Sequence, residues 1–356
     1  MKVLTVIGAR PQFIKAWPVS RALAEAGIEE CLLHTGQHYD YAMSGVFFEE
    51  LGMRKPAINL EVGSGSHGAQ TAKMIEGIEQ ALLSEKPDVV LLYGDTNSTL
   101  AGALAAVKLH IPIAHVEAGL RSFNRRMPEE HNRILTDHCS DLLFCPTETA
   151  VKNLSHEGIL KGVHLVGDVM KDSLFSAVSI AKEKSQVLER CNLKARRFVL
   201  ATLHRAENVD DPSTLSSILE GFGKIDAEII LPLHPRTKSK LFTCGQLSGN
   251  IKIIDPVGYL DMVWLVLNSQ VVMTDSGGLQ KEAVWLGRPC ITLRNETEWV
   301  ETLLDGSNQL TGSDPQKIVE AFGKASMCAS TAAASFSMDS SKKIANILGA
   351  TFEAAH

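Results

Sequence analysis

The stretch Val3-Leu4-Thr5-Val6-Ile7-Gly8-Ala9-Arg10-Pro11 predicts the fold of the chain. Its first five residues are leucine and β-branched residues in a continuous run, which is typical of a strand buried on both faces. Gly8 to Pro11 then form a tight turn, and residues 13–26 have the pattern of a helix. A buried strand, a turn and a helix are the opening unit of a doubly wound α/β fold.

The same unit recurs along the chain, which divides into two halves. A length of 356 residues exceeds the roughly 250 to 300 at which a single core stops growing, so we expect two domains. The first half contains repeated βα units, residues 172–188 form a helical connector, and a second series of units begins at residue 197. We predict two Rossmann-like domains facing a cleft. The N-terminal domain covers residues 1–168, completed by a C-terminal helix at 335–356, and the C-terminal domain covers residues 169–334.

Composition excludes several classes of protein. The net charge of −6 offers no general attraction to nucleic acid or to an anionic membrane, so any anion must be bound by a local cluster. The seven cysteines are scattered without a CxxC pair, and His34 and His38 straddle a strand end and a glycine loop. Both observations disfavour a metal site, and the cysteines also disfavour a disulfide framework. No signal-peptide pattern and no long apolar run occur, so we expect a cytoplasmic protein without a membrane segment.

Chemistry concentrates in two adjoining segments, His115-Val116-Glu117-Ala118-Gly119-Leu120-Arg121 and Asn124-Arg125-Arg126-Met127-Pro128-Glu129-Glu130-His131-Asn132-Arg133. An apolar run at residues 111–114 leads into them and gives way abruptly to carboxylates, histidines and arginines. Strand ends in parallel sheets open onto the crevice where ligands bind, so we predict the floor of an active site here. The alternative is a solvated loop before a helix at residues 129–135.

Two further places are suited to binding an anion. Arg10 lies in the first turn of the chain and Lys15 one helical turn later, near a helix N-terminus whose dipole favours anions. Ser276-Gly277-Gly278 opens a helix in the second half, and its glycines let a phosphate approach the backbone closely. Glu282 on that helix could accept hydrogen bonds from a ribose diol. The alternatives are surface charges at one helix start, a plain capped turn at the other, and a solvated glutamate.

A candidate set for proton transfer lies at the strand exits. Asp95 follows a buried strand at residues 87–93, Glu117 and Glu129 belong to the segments quoted above, and His204 follows the first strand of the second half. Crowded carboxylates raise one another's pKa, which leaves some of them protonated near neutrality and able to donate. An imidazole titrates near pH 7 and can act as acid or base. His204 could instead be hydrogen-bonded to its own loop.

With these residues identified, the chain resembles the non-hydrolysing UDP-N-acetylglucosamine 2-epimerases. The matching segments follow the family order from residue 3 to about residue 301. They are Gly8-Ala9-Arg10-Pro11-Gln12, Thr35-Gly36-Gln37-His38, Gly94-Asp95-Thr96-Asn97, His115 to Arg121, Pro128-Glu129-Glu130 with Asn132-Arg133, His204-Arg205 with Glu207-Asn208, and Asp275-Ser276-Gly277-Gly278.

The resemblance implies a fold, a reaction and a role. The fold is that of the B-type glycosyltransferases, with a cleft that closes on a UDP-sugar, in a homodimer. The reaction converts UDP-N-acetylglucosamine to UDP-N-acetylmannosamine without a metal, NAD or another cofactor. A proton leaves C2 while UDP departs from C1, and the resulting glycal is reprotonated on its opposite face before UDP returns. The product would supply a precursor of cell-surface polysaccharide.

The resemblance also implies the residues of the site. The catalytic set is Asp95, Glu117, Glu129 and His204. The residues that bind the UDP-sugar are Arg10, Lys15, Gln37, His38, Arg121, Arg205, His234, Ser276, Gly277, Gly278 and Glu282.

Some segments depart from the usual family pattern. Gln37-His38-Tyr39-Asp40, Ser122-Phe123-Asn124 and Glu296-Thr297-Glu298-Trp299 are similar to a subgroup that includes epimerases of UDP-2,3-diacetamido-2,3-dideoxyglucuronate, although archaeal UDP-N-acetylglucosamine enzymes share some of these features. Arg125 and Arg126 either pair with the carboxylate of such a uronate or are solvated. Asp40 replaces a glutamine of the family's activator pocket, so the resemblance does not extend to allosteric activation.

Three rival classes stay open on the sequence alone. A UDP-sugar glycosyltransferase would share the fold and the UDP site, but it would lack the carboxylates that accompany His204 and would need an acceptor. A UDP-sugar sensor would bind without turnover. A hydrolysing epimerase would release free sugar, and the family's hydrolysing members carry an additional kinase domain for which this chain has no room.

Overall fold

The computed structural model describes residues 1–37, 51–233, 240–241, 247–297, 299, 301–304, 306–328 and 339–352, with the backbone alone at 10, 301, 304 and 328. Two predicted substrate-binding residues, His38 and His234, lie outside the described residues, as does Asp40.

The chain divides into two compact units. Unit 1 comprises Met1–Ser176 with Ser337–His356, and unit 2 comprises Ala177–Phe336. The chain passes from the first to the second within a helix, Val169–Lys184. The boundary expected from the sequence, between residues 168 and 169, corresponds to the start of this helix.

Unit 1 is built on a seven-stranded parallel sheet with the strand order β3-β2-β1-β4-β5-β6-β7. Helices join successive strands, as the sequence predicts. The elements are β1 (Lys2–Ile7), α1 (Arg10–Glu25), β2 (Glu29–His34), β3 (Ile58–Asn59), α2 (His67–Glu85), β4 (Val89–Tyr93), α3 (Asn97–Lys108), β5 (Ile113–Val116), α4 (Pro128–Cys139), β6 (Leu142–Cys145), α5 (Glu148–His156), β7 (Val163–Leu165) and the start of α6 (Val169–Lys184).

The central strands of this sheet are buried on both faces, which explains their continuous apolar sequences. Leu4 pairs with Cys31 on one side and with Val90 on the other. On one face of the sheet, Leu4, Val6, Val90 and Leu92 pack with residues of α2 and α3, including Met74 and Ile78. At about 25 cal/mol per Å² of apolar surface, this burial is a large stabilising contribution to the packing of the helices on the sheet.

Unit 2 repeats the plan with a six-stranded parallel sheet in the order β10-β9-β8-β11-β12-β13. Its core contains Val199 and Ala201 of β8, Ile229 and Leu231 of β9, and Met273 of β11. The elements are α7 (Val187–Arg190), β8 (Phe198–Thr202), α8 (Ala206–Val209), α9 (Pro212–Gly223), β9 (Glu228–Pro232), β10 (Ile251–Ile254), α10 (Tyr259–Asn268), β11 (Val271–Thr274), α11 (Gly277–Trp285), β12 (Cys290–Thr292), α12 (Glu301–Leu304), β13 (Asn308–Leu310) and α13 (Pro315–Cys328).

A final helix, α14 (Ser340–Phe352), packs on α1 within unit 1. Its first turn is capped from α6, because the buried Asp172 carboxylate accepts from the Ser341 amide at 2.8 Å and from the Ser341 hydroxyl at 2.6 Å. The sequence predicts a helix in this part of the tail and its return to the first domain.

Each sheet has one point at which the strand order reverses. In unit 1 the chain adds strands outward from β1 on one side and then, from β4, on the other, and in unit 2 the equivalent pair is β8 and β11. The carboxyl ends of such a strand pair leave a crevice between their loops, where ligands bind in open α/β sheets. Residues 8–15 and 94–97 border the crevice of unit 1, and residues 204–208 and 275–278 border that of unit 2.

No helix among the described residues has the length and apolar character needed to cross a membrane. The cysteines at 31, 139, 145, 191 and 290 are free thiols.

Candidate active site

The turn after β1 is held by a glutamine that was not predicted to have a role. The buried Gln12 side chain accepts from the amides of Gly8 at 2.8 Å and Ala9 at 3.0 Å. Its amide nitrogen donates to the carbonyl of Tyr93 at 2.9 Å and to the Thr99 hydroxyl at 3.1 Å. Gln12 therefore ties the turn between β1 and α1 to the end of β4, and it closes the base of the crevice in unit 1.

Gly8 permits a very close approach at this turn. A Cβ at this position would lie 2.0 Å from Oγ1 of Thr35 and 2.2 Å from Oγ of Ser98. Those two hydroxyls are themselves hydrogen-bonded at 2.8 Å; Thr35 follows β2, and Ser98 lies in the first turn of α3. Only glycine fits, because real Cβ atoms do not approach other atoms this closely.

Lys15 and Glu117 meet at the centre of the crevice of unit 1. The Lys15 ammonium is ion-paired with the Glu117 carboxylate, and both side chains are largely buried. Burial alone would lower the pKa of Lys15, but the negative charges of Glu117 and Asp95 outweigh it and raise the pKa. A cation is therefore fixed beside two carboxylates, where a diphosphate could also bind.

Glu117 has an unusual backbone conformation. Its φ angle is 75°, in the left-handed region, which costs a residue with a Cβ about 1–2 kcal/mol. The Glu117 amide donates to the carbonyl of Phe144 at 3.1 Å, so the strained turn is anchored to β6. Strain of this kind is concentrated at functional sites, where surrounding contacts hold a side chain in a required direction.

Asp95 is held from α4. Its carboxylate is ion-paired with Arg133, and its backbone carbonyl accepts from the Asn132 side-chain amide at 2.9 Å. The same Asn132 amide donates to the Asn97 side chain at 3.3 Å. Asp95 remains about one-third exposed, so it can reach a ligand while its loop stays in place.

The neighbouring glutamates of α4 have different surroundings. Glu130 is buried and accepts from the amides of Ser122 at 2.9 Å and Phe123 at 2.8 Å, and it is ion-paired with Arg133 at 2.7 Å. Burial raises the pKa of Glu130, but these hydrogen bonds and the Arg133 charge lower it by more. Glu129 is half-buried in the first turn of the helix, and no described residue bonds to its carboxylate. Glu130 is thus the carboxylate that orders the loop, whereas the carboxylate of Glu129 is not bonded to any described residue.

The side chain of Arg121, which was predicted to bind substrate, is bonded to other residues of unit 1. Its side chain is about 1% exposed and donates to both carboxylate oxygens of Glu157 at 2.6 and 2.8 Å. A further nitrogen donates to Asp137 at 2.7 Å and to the carbonyl of Leu120 at 2.7 Å. These two carboxylates more than offset burial and raise the pKa of Arg121. The structure therefore gives Arg121 a part in supporting the loop.

Two other predicted binding residues of unit 1 lie beside the crevice. Gln37 follows β2, and its side-chain carbonyl accepts from the Ser98 hydroxyl at 2.8 Å and from the Ser98 amide at 3.3 Å. Arg10 is the first residue of α1, so its backbone lies at the helix N-terminus; its side chain lies outside the described part of the chain.

The crevice of unit 2 is organised by Asp275, a residue of the quoted motif that was assigned no role. The fully buried Asp275 carboxylate accepts from the amides of His204 and Arg205 at 3.0 Å and from the Asn208 side chain at 3.1 Å. The carboxylate therefore fixes the loop after β8. The His204 residue on this anchored loop is exposed, so its imidazole is accessible to a ligand.

The start of α11 has the features of an anion site. Ser276 is the N-cap and accepts from the Leu279 amide at 3.5 Å, while its own amide donates to the Thr274 hydroxyl at 3.0 Å. Gly277 and Gly278 are the first two helical residues, whose amides have no acceptor inside a helix. Their N–H groups and the helix dipole favour a bound anion.

Glu282 lies one and a half turns further along α11 and is buried, about 7% exposed. The hydroxyl of Tyr259 donates to its carboxylate at 3.5 Å. A buried carboxylate can accept hydrogen bonds from a neutral polar group such as a diol.

The structure thus brings Lys15, Asp95 and Glu117 together in unit 1, and His204, Arg205, Ser276, Gly277 and Gly278 together in unit 2. Residues without an assigned role turn out to hold these groups. They are Gln12, Glu130, Asn132, Arg133, Asp137 and Asp275. The spacing of Glu130, Arg133 and Asp137, at i, i+3 and i+7, places them on one face of a helix and could have revealed this set.

In the described ranges, no group of three or more histidine, cysteine, aspartate or glutamate side chains is arranged to hold a metal ion.

Fold and site together define the class of protein: an α/β enzyme with two Rossmann-like units, each presenting polar residues at the reversal point of a parallel sheet. The model of the UDP-N-acetylglucosamine 2-epimerase family matches residues 21–349, and the chain belongs to this family. The predicted family and isomerase class are confirmed by this match and by the relatives that follow.

Two relatives each share 54% identity with the chain. One is a protein of Methanococcus maripaludis named UDP-N-acetylglucosamine 2-epimerase homolog, aligned over 91% of this chain and 92% of its own. The other is the UDP-2,3-diacetamido-2,3-dideoxy-D-glucuronate 2-epimerase of Pseudomonas aeruginosa, aligned over 90% of this chain and 91% of its own. The equal identities favour neither of these two enzymes.

Solved structures show the same fold. The UDP-GlcNAc 2-epimerase of Methanocaldococcus jannaschii, in complex with UDP-GlcNAc and UDP, has a TM-score of 0.84 and 45% identity, over 98% of this chain and 100% of its own. The calicheamicin glycosyltransferase CalG4, at 12% identity and a TM-score of 0.56 over 99% and 96% of the two chains, shares the fold alone. The predicted α/β fold of the B-type glycosyltransferase kind is therefore confirmed.

Proposed function

We propose that this protein is a non-hydrolysing 2-epimerase that interconverts UDP-N-acetylglucosamine and UDP-N-acetylmannosamine. The observation that carries the proposal is the cluster of Lys15, Glu117 and Asp95 at the reversal point of unit 1, in a chain of this family. A cation beside two carboxylates suits a reaction in which a diphosphate leaves as a proton is removed from the adjacent carbon.

The reaction proceeds by elimination and addition. A base removes the C2 proton, the C2–H electron pair forms a C1–C2 double bond, and the C1–O bond breaks with its electron pair passing to the diphosphate of UDP. The glycal is then protonated at C2 on its opposite face while UDP re-adds at C1. No net oxidation occurs and no water is consumed. The enzyme must therefore retain UDP, because loss of UDP would convert epimerisation into hydrolysis.

The residues that we assign to UDP lie in the two crevices, one in each unit. Lys15, with Arg10 at the same helix start, neutralises charge on the diphosphate, and the amides of Gly277 and Gly278 bind a phosphate oxygen beside Ser276. Glu282 accepts from the ribose hydroxyls. Support for this assignment comes from the buried position of Glu282 on the helix that starts at these glycines.

Proton transfer falls to Asp95, Glu117, Glu129 and His204. Asp95 and Glu117 share the Lys15 charge, the carboxylate of Glu129 is bonded to no described residue, and His204 is exposed on a loop that Asp275 anchors. Groups on both faces of C2 are required, because the proton leaves from one face and returns to the other. Arg121 supports a loop and enters this proposal as a positioning residue. Gln37, His38, Arg205, His234 and Gly278 complete the proposed substrate contacts.

The proposal is tested by incubating the protein with UDP-N-acetylglucosamine alone in heavy water. An epimerase incorporates deuterium at C2 and forms UDP-N-acetylmannosamine, because the C2 proton exchanges with solvent. A glycosyltransferase leaves C2 unlabelled, and a UDP-sugar sensor leaves the substrate unchanged. A hydrolysing epimerase accumulates free N-acetylmannosamine and UDP. Either of the first two negative results contradicts the proposed function, and the third replaces it with hydrolysis.

A second candidate substrate is UDP-2,3-diacetamido-2,3-dideoxyglucuronate, processed by the same chemistry. The loop 122–127 favours it, because Glu130 fixes the loop while the side chains of Arg125 and Arg126 are exposed and form no ion pair with any described residue. Two such guanidinium groups could bind a uronate carboxylate in bidentate fashion. Assaying the two UDP-sugars side by side decides between them. If the uronate is the substrate, the double variant Arg125→Gln/Arg126→Gln loses at least about tenfold in kcat/KM on it, since a charge-assisted hydrogen bond is lost.

We also infer a homodimer in the cytoplasm. The dimer rests on the family resemblance, and light scattering coupled to gel filtration would measure it directly. The cytoplasmic location is supported by the free thiols, which suit a reducing compartment.

A further inference from the structure

Asp137 and His115 form a buried hydrogen-bonded chain behind the candidate carboxylates of unit 1. Asp137 belongs to α4, His115 to β5, and both side chains are excluded from solvent. Nδ1 of His115 lies 2.7 Å from Oδ1 of Asp137, and Nε2 of His115 lies 2.7 Å from the carbonyl oxygen of Gly94. The imidazole therefore bridges a side chain of α4 and the backbone that follows β4.

The direction of each hydrogen bond follows from the partners. The Gly94 carbonyl can only accept, so Nε2 of His115 carries a proton. The second oxygen of Asp137 accepts from the Gly119 amide at 3.1 Å and from Arg121 at 2.7 Å, as an ionised carboxylate does. Nδ1 of His115 faces the other oxygen of this carboxylate, so the imidazole is held between two oxygen atoms. Hydrogen bonds to an ionised carboxylate are about twice as strong as neutral ones.

The charge state of Asp137 agrees with this geometry. Burial raises the pKa of Asp137, but the hydrogen bond and charge of His115 and the charge of Arg121 outweigh burial and lower the pKa.

The hydrogen bonds of Asp137 and His115 extend to the two loops that carry the candidate catalytic carboxylates. Gly94, which accepts from His115, immediately precedes Asp95 and has a φ angle of 64°. Gly119, which donates to Asp137, follows Glu117 by two residues, and Glu117 itself lies in the left-handed region. Glu117 needs support to keep its strained conformation, whereas Gly94 adopts a positive φ without strain. The Asp137 carboxylate is bonded to one loop directly and to the other through His115.

We propose that Asp137, acting through His115, is a positioning residue that sets the relative placement of the Asp95 and Glu117 carboxylates for the reaction. This inference rests on the proposed function for its kinetic consequence. Neither residue touches the substrate. Misplacement of a reacting group by about 1 Å can cost on the order of a hundredfold in rate. Loss of the hydrogen bonds between Asp137, His115 and these loops should therefore lower kcat. UDP binding, which depends on Lys15 and on unit 2, should change little.

The test compares Asp137→Asn with Asp141→Asn. The first substitution keeps the size of the side chain, but the carboxamide could not accept from His115, Gly119 and Arg121 together. Asp141 is the matched control, because its carboxylate accepts from the Ile113 amide at 2.9 Å and so anchors the opposite end of the same strand. For each variant, kcat, KM and the Kd for UDP are measured with the better of the two UDP-sugars. Hydrogen exchange is followed in segments 93–97 and 115–122.

The inference predicts that Asp137→Asn loses about a hundredfold in kcat with UDP affinity within about threefold of the wild type. It also predicts faster exchange in both segments, whereas Asp141→Asn keeps its kcat. A folded Asp137→Asn protein with unchanged kcat overturns the inference. If Asp137→Asn does not fold, His115→Gln takes its place with the same criteria, since the single nitrogen of a glutamine side chain cannot face both oxygen atoms. If the wild type turns over neither sugar, the proposed function is wrong and the hydrogen-exchange data alone test the positioning role. Faster exchange in both segments of Asp137→Asn supports that role, and unchanged exchange refutes it.

Discussion

The ammonium of Lys15 is ion-paired with the carboxylate of Glu117, 102 residues further along the chain. The group proposed to hold the leaving diphosphate and a group proposed to transfer the proton are therefore direct partners. A diphosphate that binds the Lys15 ammonium would weaken the ion pair between Lys15 and Glu117. We expect the binding of UDP and the ability of the Glu117 carboxylate to take up a proton to be coupled through this ion pair.

Replacing Lys15 by methionine should weaken UDP binding and abolish most turnover. The variant removes the cation that faces the diphosphate and leaves the buried Glu117 without its partner. We expect the Kd for UDP, measured by calorimetry, to rise about tenfold or more. Lys2→Met is the control, since Lys2 pairs with Glu85 at the amino end of the same β1. Equal UDP affinities for Lys15→Met and the wild type would remove Lys15 from the site.

Asp95→Asn and Glu117→Gln should separate binding from catalysis. Each variant keeps the shape of the side chain but removes a group that can take up or deliver a proton. We expect kcat to fall by about 10²–10⁴-fold. UDP affinity should be retained in Asp95→Asn and should rise in Glu117→Gln, because Lys15 no longer has a competing carboxylate in the second variant. Steady-state assays with UDP binding measured in parallel would check this, and normal turnover in both variants would refute the catalytic assignment.

Glu282→Gln should reduce the enzyme's discrimination between ribose and deoxyribose. If Glu282 accepts from the ribose hydroxyls, UDP binds more tightly than 2′-deoxy-UDP to the wild type, and the ratio of the two Kd values should shrink by about tenfold in the variant. Glu220→Gln is the control in unit 2, since Glu220 is exposed and pairs only with the neighbouring Lys224 among described residues. An unchanged ratio would show that Glu282 contacts another part of the ligand.

Gly8→Ala should destabilise unit 1. The added methyl would lie 2.0 Å from Oγ1 of Thr35 and 2.2 Å from Oγ of Ser98, and both of these residues are fully buried. Overpacking of this kind costs about 1–3 kcal/mol in the free energy of unfolding. Gly68→Ala is the control, because nothing lies within 4 Å of its Cβ position in α2. Urea denaturation would measure both, and equal midpoints would contradict the close approach at Gly8.

Glu130→Gln should reduce the dependence of stability on acid pH. The pKa of Glu130 is lower in the folded protein than in the unfolded chain, because bonds from Ser122 and Phe123 and the Arg133 charge outweigh burial. Its contribution is therefore present above the unfolded pKa of about 4.3 and is lost as the pH falls through the lower folded value. Between about pH 5 and pH 3 the wild type should lose more unfolding free energy than the variant. Glu76→Gln, on the exposed side of α2, controls for the loss of one charge. Parallel pH profiles for the wild type and Glu130→Gln would contradict the prediction.

Local sequence signals predicted most of the framework. The runs that form β1, β4, β5, β8 and β11 are buried strands, as their continuous apolar character indicates, and polar residues follow each of them. The two-residue β3 was not expected, because two residues cannot show a periodicity. The connector predicted over 172–188 is instead α6, Val169–Lys184, followed by a separate short helix, Val187–Arg190.

Neighbouring residues of α4 show what the sequence left open. Glu129 and Glu130 are identical side chains, but a helix turns about 100° per residue, so Glu129 is half-buried while Glu130 is buried under the loop at Ser122. The family resemblance implied that Arg121 binds substrate. Its surroundings, Glu157 and Asp137, come from helices 36 and 16 residues away and were not visible as partners.

The sequence by itself determined that this is a two-unit α/β protein of the UDP-N-acetylglucosamine 2-epimerase family, because strand hydrophobicity, glycine turns and family motifs are encoded in short segments. It also determined that acidic residues, cations and a histidine follow the strands. Only the tertiary structure showed which of them are paired with one another and which residues hold them in place. Pairings such as Lys15 with Glu117 and His115 with Asp137 depend on strand order and helix orientation, which bring distant residues together and which no local pattern specifies.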